Sequence, residues 1–343
     1  MAVGVSSATV SAGFARGLFE LALRKGAPRD ALLAQAGLSA PELEQMEARL
    51  PFDAYVALMR AAKALTGDPA LALHYGEQVN IAEVSIAGLV GQASPTLLES
   101  WAQLNRFVPL VVETENAGGG ERFPVVRDRH GLWLTDARLH PNAFPELTES
   151  ALAQLACGPR RYGAPPFVRA VRVTHADPGY AGEYERIFQA PVTFGADRNG
   201  LLLDEAVVTR RFKVLPPYAA EVLAGHADSL LARLDGARST RGQVEAILAP
   251  LLDRGEPRME AVAAQLGVSR QTLFRRLKSE GATFEAVLDD LRLKLALRHL
   301  CEGGLSVNAT AFRLGFSDPA AFSRAFKRWT GKSPSQAREL APE

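Results

Sequence analysis

The chain has 343 residues, 47% of them hydrophobic, with 39 Lys and Arg against 38 Asp and Glu and a formal net charge of +1. That length and apolar content can bury sizeable cores and divide into two or three domains, while the near-neutral balance makes the placement of charge matter more than its sum. Two cysteines, Cys157 and Cys301, fall in different predicted domains, which excludes a disulfide framework and fits a reducing cytoplasm, and no apolar run is long enough to span a membrane.

The N-terminal stretch reads as an amphipathic helix on Phe14, Leu18 and Leu21, interrupted by Arg16 and Glu20, and lacks the cationic start and apolar core of a signal peptide. From Ser11 to Leu110 the pattern is mostly helical, with breaks or starts at Pro51, Gly67-Asp68-Pro69 and Ser94-Pro95, and with Leu97, Trp101, Leu104 and Val108 along one face. After Gly118-Gly119-Gly120, read as a flexible linker, the period changes. Phe123 to Val126 and Leu132 to Leu139 read as strands around an Asp128-Arg129-His130-Gly131 turn. A helix on Leu147, Ala151 and Leu155 follows, then a strand from Phe167 to Thr174, a helix near Tyr184 to Phe188 and a strand from Gly200 to Leu203. This mixture predicts an α+β regulatory domain over residues 1–214. Arg122, Trp133, Arg138 and Tyr180 are its candidates for facing a ligand, weighed against exposed structural roles.

Residues 215–240 read as a helix and linker. Leu215-Pro216-Pro217 ends the first domain, and Val222, Leu223, Leu230, Leu231 and Leu234 then make an apolar stripe, suited either to pairing two protomers or to packing on its own sensor domain. Asp235-Gly236-Ala237-Arg238-Ser239-Thr240 reads as a short flexible linker, with helices resuming at Gln243.

The last part, residues 241–343, carries 16 Lys and Arg against 12 Asp and Glu and contains a degenerate repeat. One copy has Ala263, Gly267 and Ser269, then Leu273-Phe274-Arg275-Arg276-Leu277-Lys278; the other has Ala311, Gly315 and Ser317, then Phe322-Ser323-Arg324-Ala325-Phe326-Lys327. A small residue lets two helices approach, a glycine four positions on supplies a left-handed turn, and a serine is suited to open the next helix, which is the grammar of a helix-turn-helix. Within that helix Leu273 and Leu277, like Phe322, Phe326 and Trp329, must face inward, leaving Arg275, Lys278, Arg324 and Lys327 outward. In the second copy Ser317 or Asp318 serves as the cap, and Phe316, Phe322, Phe326 and Trp329 share the face of Leu314 and read as core. Between the copies, Phe284 to Leu300 predicts one long spacer helix, placing two readers for successive major grooves of double-stranded DNA.

The stretch GFSDPAAFSRAFKRWTGKSPSQAR, from Gly315 to Arg338, resembles the second half of an AraC/XylS-type DNA-binding domain, and Val268 to Leu277 fits the first half. Thr310 stands where the family has an aliphatic core residue, and Ala337 where an aromatic is common; both departures predict looser packing of the second unit. The N-terminal part resembles the arabinose-binding-type regulatory domain of one branch of that family, through Ala31 to Leu38, Thr66 to Leu73, Ser94 to Leu97 and Ala190 to Phe194. The resemblance implies an α+β regulatory domain followed by an all-α DNA-binding domain, in which two helix-turn-helix motifs are joined by a long helix. It also implies a cytoplasmic regulator, more often activator than repressor, with promoter DNA, a small-molecule effector, RNA polymerase and a possible second copy of the chain as partners.

Arg275 and Arg324 are the candidates for base or phosphate contact, and Gln271, one turn before Arg275, can bond adenine. Arg270, Thr272, Arg276, Lys278, Ser323, Lys327 and Arg328 suit phosphate, which fixes register, although Arg276 and Lys332 also fit simple surface ion pairs. The chain shows no catalytic constellation, and no metal or cofactor is expected: there is no His-Glu-x-x-His, no phosphate loop and no Gly-x-Ser-x-Gly, and the histidines are scattered. DNA-repair alkyl transferases with a similar module need a cysteine-rich zinc site, which two distant cysteines cannot form. The alternatives are a ligand-independent DNA-binding protein whose first domain only dimerises, and an enzyme localised by its DNA domain.

Overall fold

The structure of the protein is a computed structural model that describes residues 8–212, 216–252, 257–302 and 305–339. It divides into two compact units, Met1–Leu231 and Ala232–Glu343.

In the first unit β1 (Thr9–Ser11) leads into α1 (Ala12–Arg24), where Ser11 caps the helix by accepting from the Phe14 N–H. Phe14, Leu18 and Leu21 are buried as their spacing predicts, and Arg16 pairs with Glu20 across one turn of the outer face. Next come α2 (Arg29–Ala36), β2 (Arg49–Pro51), which pairs antiparallel with β1, then α3 (Phe52–Thr66) and α4 (Leu71–Gln78). Left-handed Gly67 stops α3 at the break marked in the sequence. Two short helices, α5 (Ile81–Val84) and α6 (Ile86–Gln92), precede α7 (Leu97–Val111), which buries Leu97, Trp101 and Val108 and leaves Leu104 half-buried.

The three glycines at 118–120 are a turn inside this unit and not a linker. Gly118 and Gly119 both take φ of +67°, the Asn116 amide donates to the Gly120 carbonyl, and the Ala117 N–H donates to the Ala137 carbonyl at 2.8 Å. The glycines supply left-handed backbone, which side chains resist, and the turn is held in place.

The chain then makes β3 (Val125–Asp128), β4 (Gly131–Thr135), α8 (Pro145–Arg161), β5 (Val168–Arg172), α9 (Ala181–Phe188), β6 (Val192–Thr193) and β7 (Gly200–Leu203). Among the described residues these strands form one sheet in the order β3-β4-β7-β5-β6, antiparallel except for the β5–β6 pair. The strand expected to reach Leu139 stops at Thr135. There Asp136 turns inward, its carboxylate taking the Thr148 hydroxyl at 2.8 Å and facing Arg122 and Arg138 at 3.4 and 3.3 Å. Burial draws the Arg122 guanidinium down to about 10, against the pull of Asp136. All four sensor residues flagged for a ligand are thus committed internally: Arg122 and Arg138 to Asp136, the Trp133 indole to Asp128, and the Tyr180 hydroxyl to Glu149. Their structural roles are largely buried ones, since Trp133 and Arg122 are 1% and 2% exposed.

After α10 (Glu205–Val208), α11 (Pro217–Arg238) packs Leu223, Ala227 and Leu231 on the core of its own unit, and Leu230 is buried. Of the two uses open to that stripe, packing on the same chain is the one seen, and Val222 stays exposed. Leu215, read as the end of the first domain, lies outside the described residues.

The stretch read as a flexible linker is helical. Helix α11 runs through Arg238 and α12 (Thr240–Leu252) begins two residues later, earlier than the expected start at Gln243. The Glu280 carboxylate accepts the Thr240 and Arg241 N–H groups at 2.8 and 3.0 Å, so a distant residue caps α12. The glycine that a close contact requires is Gly242, where a Cβ would stand only 2.0 Å from the Gly236 carbonyl, while a Cβ on Gly236 would meet nothing within 4 Å.

The second unit continues with α13 (Met259–Gln265), α14 (Arg270–Ser279) and α15 (Phe284–Leu297), which passes into a π-helical turn over Arg298–Glu302, short of the uniform helix expected to Leu300. Then follow α16 (Val307–Arg313), α17 (Pro319–Thr330) and α18 (Pro334–Glu339). One core joins α12 to α15 through Val244, Leu248, Val262, Leu273, Leu277 and Val287; a second gathers Leu300, Ala311, Leu314, Phe322 and Phe326, with Phe316 and Trp329 half-buried against it. Thr310 is fully buried. The Thr310 hydroxyl and the Trp329 indole N–H are buried without a hydrogen-bond partner among the described residues.

Thr310→Val, which removes that unpaired hydroxyl, is expected to stabilise the second unit by about 1 kcal/mol in urea unfolding; a loss of stability would mean the hydroxyl is satisfied in solution. A second expectation concerns Glu149, whose carboxylate takes the Tyr180 and Tyr184 hydroxyls at 2.8 Å with the His175 ring 3.9 Å away. Burial raises its pKa despite those donors. The folded state therefore holds a proton the unfolded state has released, so stability falls as pH rises from the ordinary carboxylate range through the raised value. Denaturation midpoints measured across that range should show the descent in the wild type and a flatter curve in Glu149→Gln.

Candidate nucleic-acid interface

Each helix-turn-helix is built by a buried small residue, a left-handed glycine and a capped second helix. Ala263 and Ala311 are 2% and 0% exposed, and Gly267 and Gly315 take φ of +65° and +73°. At the first motif Ser269 accepts the Thr272 N–H at 3.1 Å and opens α14 as expected. The second motif differs. Asp318, not Ser317, is the cap, its two carboxylate oxygens taking the Ala320 and Ala321 N–H groups at 3.0 and 3.2 Å, with Pro319 at the first helical position. The second turn is one residue longer, so Arg275 and Arg324 match when helices are aligned by their caps.

Burial then fixes which side each helix presents. At about 100° per residue, Gln271 and Arg275 lie opposite the buried Leu273 and Leu277, with Lys278 beside them. On α17 the buried Phe322, Ala325 and Phe326 leave Ala320, Arg324 and Lys327 outward. The position matching Gln271 is therefore Ala320, and the second helix has no amide to offer there.

The ten candidate residues separate by what they already touch. Gln271, Arg275, Arg276, Lys278 and Lys327 are exposed and have no hydrogen bond or ion pair among the described residues. Arg324 stands 4.0 Å from Asp318, a loose pair with both side chains largely in water. Arg270 pairs with Glu260 at 3.0 Å, and Arg328 reaches back to Asp289 on α15 at 2.9 Å. Thr272 shares its hydroxyl with Ser269 at 2.9 Å, completing the cap, and Ser323 is half-buried at the edge of its helix. Arg276 and Lys332 form no such pair among the described residues.

Sequence reasoning missed a second feature. In the first unit a cavity of about 560 Å³ opens between α6, α7 and α8, lined in part by Trp101, Leu104, Gln154 and Phe212. Its lining comes from segments far apart in the chain, so no local spacing announces it. Among the described residues no group of His, Cys, Asp and Glu is placed to hold a metal, and no helix is long and apolar enough to cross a membrane.

A helical unit that presents two capped, basic helices from matched cores, preceded by an α+β unit with its own cavity, defines a class: a DNA-binding transcription regulator with a regulatory domain. Residues 26–212 match the model of the N-terminal arabinose-binding domain of AraC transcription regulators, and residues 262–340 match a helix-turn-helix domain model. The chain belongs to the AraC family of transcription regulators, as a sequence-specific DNA-binding protein controlled through an effector-binding N-terminal domain. It is 29% identical to the ornithine utilization regulator of Pseudomonas aeruginosa over 96% of each chain. It is 25% identical to the transcriptional regulator VirS of Mycobacterium tuberculosis over 87% of each. The transcriptional activator RhaS of Salmonella arizonae is 34% identical over 32% of this chain and 42% of its own.

The cap assignment is testable. Asp318→Ala should cost the second unit about 1 kcal/mol in thermal or urea unfolding, while Ser317→Ala should be near neutral; equal effects would mean the serine shares the cap.

Proposed function

We propose that the regulator reads an asymmetric two-part promoter site, with α14 and α17 each in a major groove. Gln271 and Arg275 read bases in one half and Arg324 reads bases in the other. Lys278, Lys327 and Arg276 bind phosphate and set register, while Arg270, Thr272, Ser323 and Arg328 support the surface beside phosphate, two of them after exchanging an acidic partner. The observation that carries this is the pair of outward basic faces at matched positions, free of ion pairs among the described residues apart from the loose Arg324–Asp318 contact, on two helices whose inner faces are locked by core.

Residues 1–214 form the regulatory domain, 215–240 the connecting helix and 241–343 the reader. The protein acts as an activator, in the cytoplasm where promoter DNA and RNA polymerase are, and has no catalytic role of its own. Activation is supported by the name of one relative, a transcriptional activator. Effector binding shifts the reader between weak and strong promoter engagement, which needs about 1–3 kcal/mol of coupling. Where two copies pair, the face of α11 left for it is the outer one, which exposes Tyr218 and Val222.

Footprinting at a series of stated salt concentrations tests the contacts. Arg275→Ala and Arg324→Ala should each weaken the preferred site by about 1–3 kcal/mol and relax discrimination at one base pair in its own half. Lys278→Ala or Lys327→Ala should weaken all sequences alike and lower the salt slope by about 1. An unchanged site pattern in the Arg275→Ala/Arg324→Ala double variant would remove α14 and α17 as readers.

A further inference from the structure

The cavity of the first unit has walls of one chemical kind. Leu97, Trp101 and Leu104 come from α7, Leu89 from α6 and Leu155 from α8, with Phe212 closing one side. Most of its polar side chains are already occupied. The Thr96 hydroxyl caps α7 at the Glu99 N–H, the Ser94 hydroxyl donates to the Val90 carbonyl, the Asn80 amide serves the Ala82 N–H and Glu83, and the Gln92 amide donates to the Tyr162 hydroxyl at 2.7 Å.

Two polar groups are left over. The side chains of Ser100 and Gln154 line the cavity and have no hydrogen bond among the described residues. Each stands against a glycine of the wall: a Cβ at Gly91 would come within 3.1 Å of the Ser100 hydroxyl, and one at Gly158 within 3.2 Å of the Gln154 amide nitrogen. Larger residues at those glycines would press on the free groups.

Charge is nearly absent. Among the described lining residues there is no Asp, Glu, Lys or His, and the one cation, Arg161, already donates its terminal nitrogens to the Glu77 and Val79 carbonyls. A ligand ammonium would find no counter-charge and would lose its water without replacement, while the Arg161 guanidinium, though still charged, is exposed and partly held by two carbonyls, so a carboxylate would pair with it in water and not among the apolar walls. A sugar fares no better, since one hydroxyl and one amide cannot satisfy its ring of hydroxyls. Apolar walls with a few convergent polar groups are the usual make-up of a small-molecule site.

We infer that this cavity is the effector site and that it takes an uncharged, largely apolar small molecule with one hydrogen-bonding group, such as an amide or ester carbonyl, held by Ser100 and Gln154. Its regulatory part rests on the reading of this unit as effector-binding. Phe212, whose N–H donates to the Pro95 carbonyl at 2.8 Å, lines the cavity, so occupancy acts on the segment that follows α10.

The test uses the full chain and the uncharged fluorophore N-phenyl-1-naphthylamine. The wild type should bind it saturably, one per chain, and octanamide should displace it at least tenfold more effectively than octanoate, octylammonium, L-ornithine or L-arabinose. Ser100→Phe, which intrudes on the cavity beside Gly91, should weaken fluorophore binding at least tenfold, with circular dichroism and the melting temperature checking its fold. Gln154→Leu keeps the volume and should retain the fluorophore but lose the preference for octanamide. No saturable binding, binding untouched by Ser100→Phe, or equal displacement by a charged compound or the sugar would overturn the assignment. Control is read separately, by footprinting wild type and Ser100→Phe in cells. Probe binding as expected, with footprints that never differ, would keep the cavity's chemistry and remove its regulatory role. A normal, condition-dependent footprint in Ser100→Phe would place effector control elsewhere in the unit.

Discussion

The grip of Arg292 on the second turn decides where the second reading helix stands. From α15 its Nε donates to the Leu314 carbonyl at 3.0 Å, and its guanidinium lies 4.4 Å from the centre of the Phe316 ring. Gly315, between those residues, is held from the other side: a Cβ there would come within 3.0 Å of the Leu252 carbonyl at the end of α12. Its left-handed backbone and this close approach both call for glycine. Burial draws the Arg292 pKa down, a measure of how far the guanidinium has been withdrawn from water to make this contact. The Arg328–Asp289 pair adds a tie from α17 to the same spacer.

With that turn fixed, the distance between readers is set by α15, 14 residues and so about 21 Å of helix before the π-helical turn. Two helices fixed to one spacer act as a single reader with two faces, and the faces are not equivalent. Gln271 has Ala320 as its counterpart, so the first face can pair an amide with adenine beside an arginine for guanine, while the second has arginine and lysine alone. On the proposed contacts, the preferred site is therefore no simple repeat, and the protein binds it in one orientation.

Much of this was legible because it is local. Capping serines, left-handed glycines and apolar residues at helical spacing each act within a few residues, and they placed Ala263, Gly267, Leu273 and Leu277 and their counterparts correctly. The failures are non-local. Strands β1, β2 and β6 are two or three residues long, too short for alternation to register, and each exists by pairing or packing elsewhere in the unit. Gly236 and the glycines at 118–120 carried the composition of flexible linkers, but the first lies within a helix and the others form a held turn. The apolar stripe of α11 announced a partner without saying which. Arg270 and Arg328 looked as free as Arg275 because Glu260 and Asp289, which engage them, lie 10 and 39 residues away. The cavity, drawn from four or more segments, had no sequence signal at all.

Those pairings bear on how a chain of net charge +1 binds a polyanion selectively. The first unit spends its arginines internally: Arg122 and Arg138 on a buried aspartate, Arg186 on Glu77 and Glu183, Arg198 on Asp128 and Asp197. In the second unit, Arg241 goes to Glu245 and Asp290. Arg275, Lys278 and Lys327 stand apart, unpaired among the described residues and all on the two outward faces. Attraction to DNA regardless of sequence grows with every phosphate that finds a cation, and each such contact raises specific and unspecific affinity together. Pairing these other arginines keeps that common term smaller. Part of the attraction that remains sits on the two surfaces that can also read bases, so discrimination depends on where the free charges are as well as on how many there are.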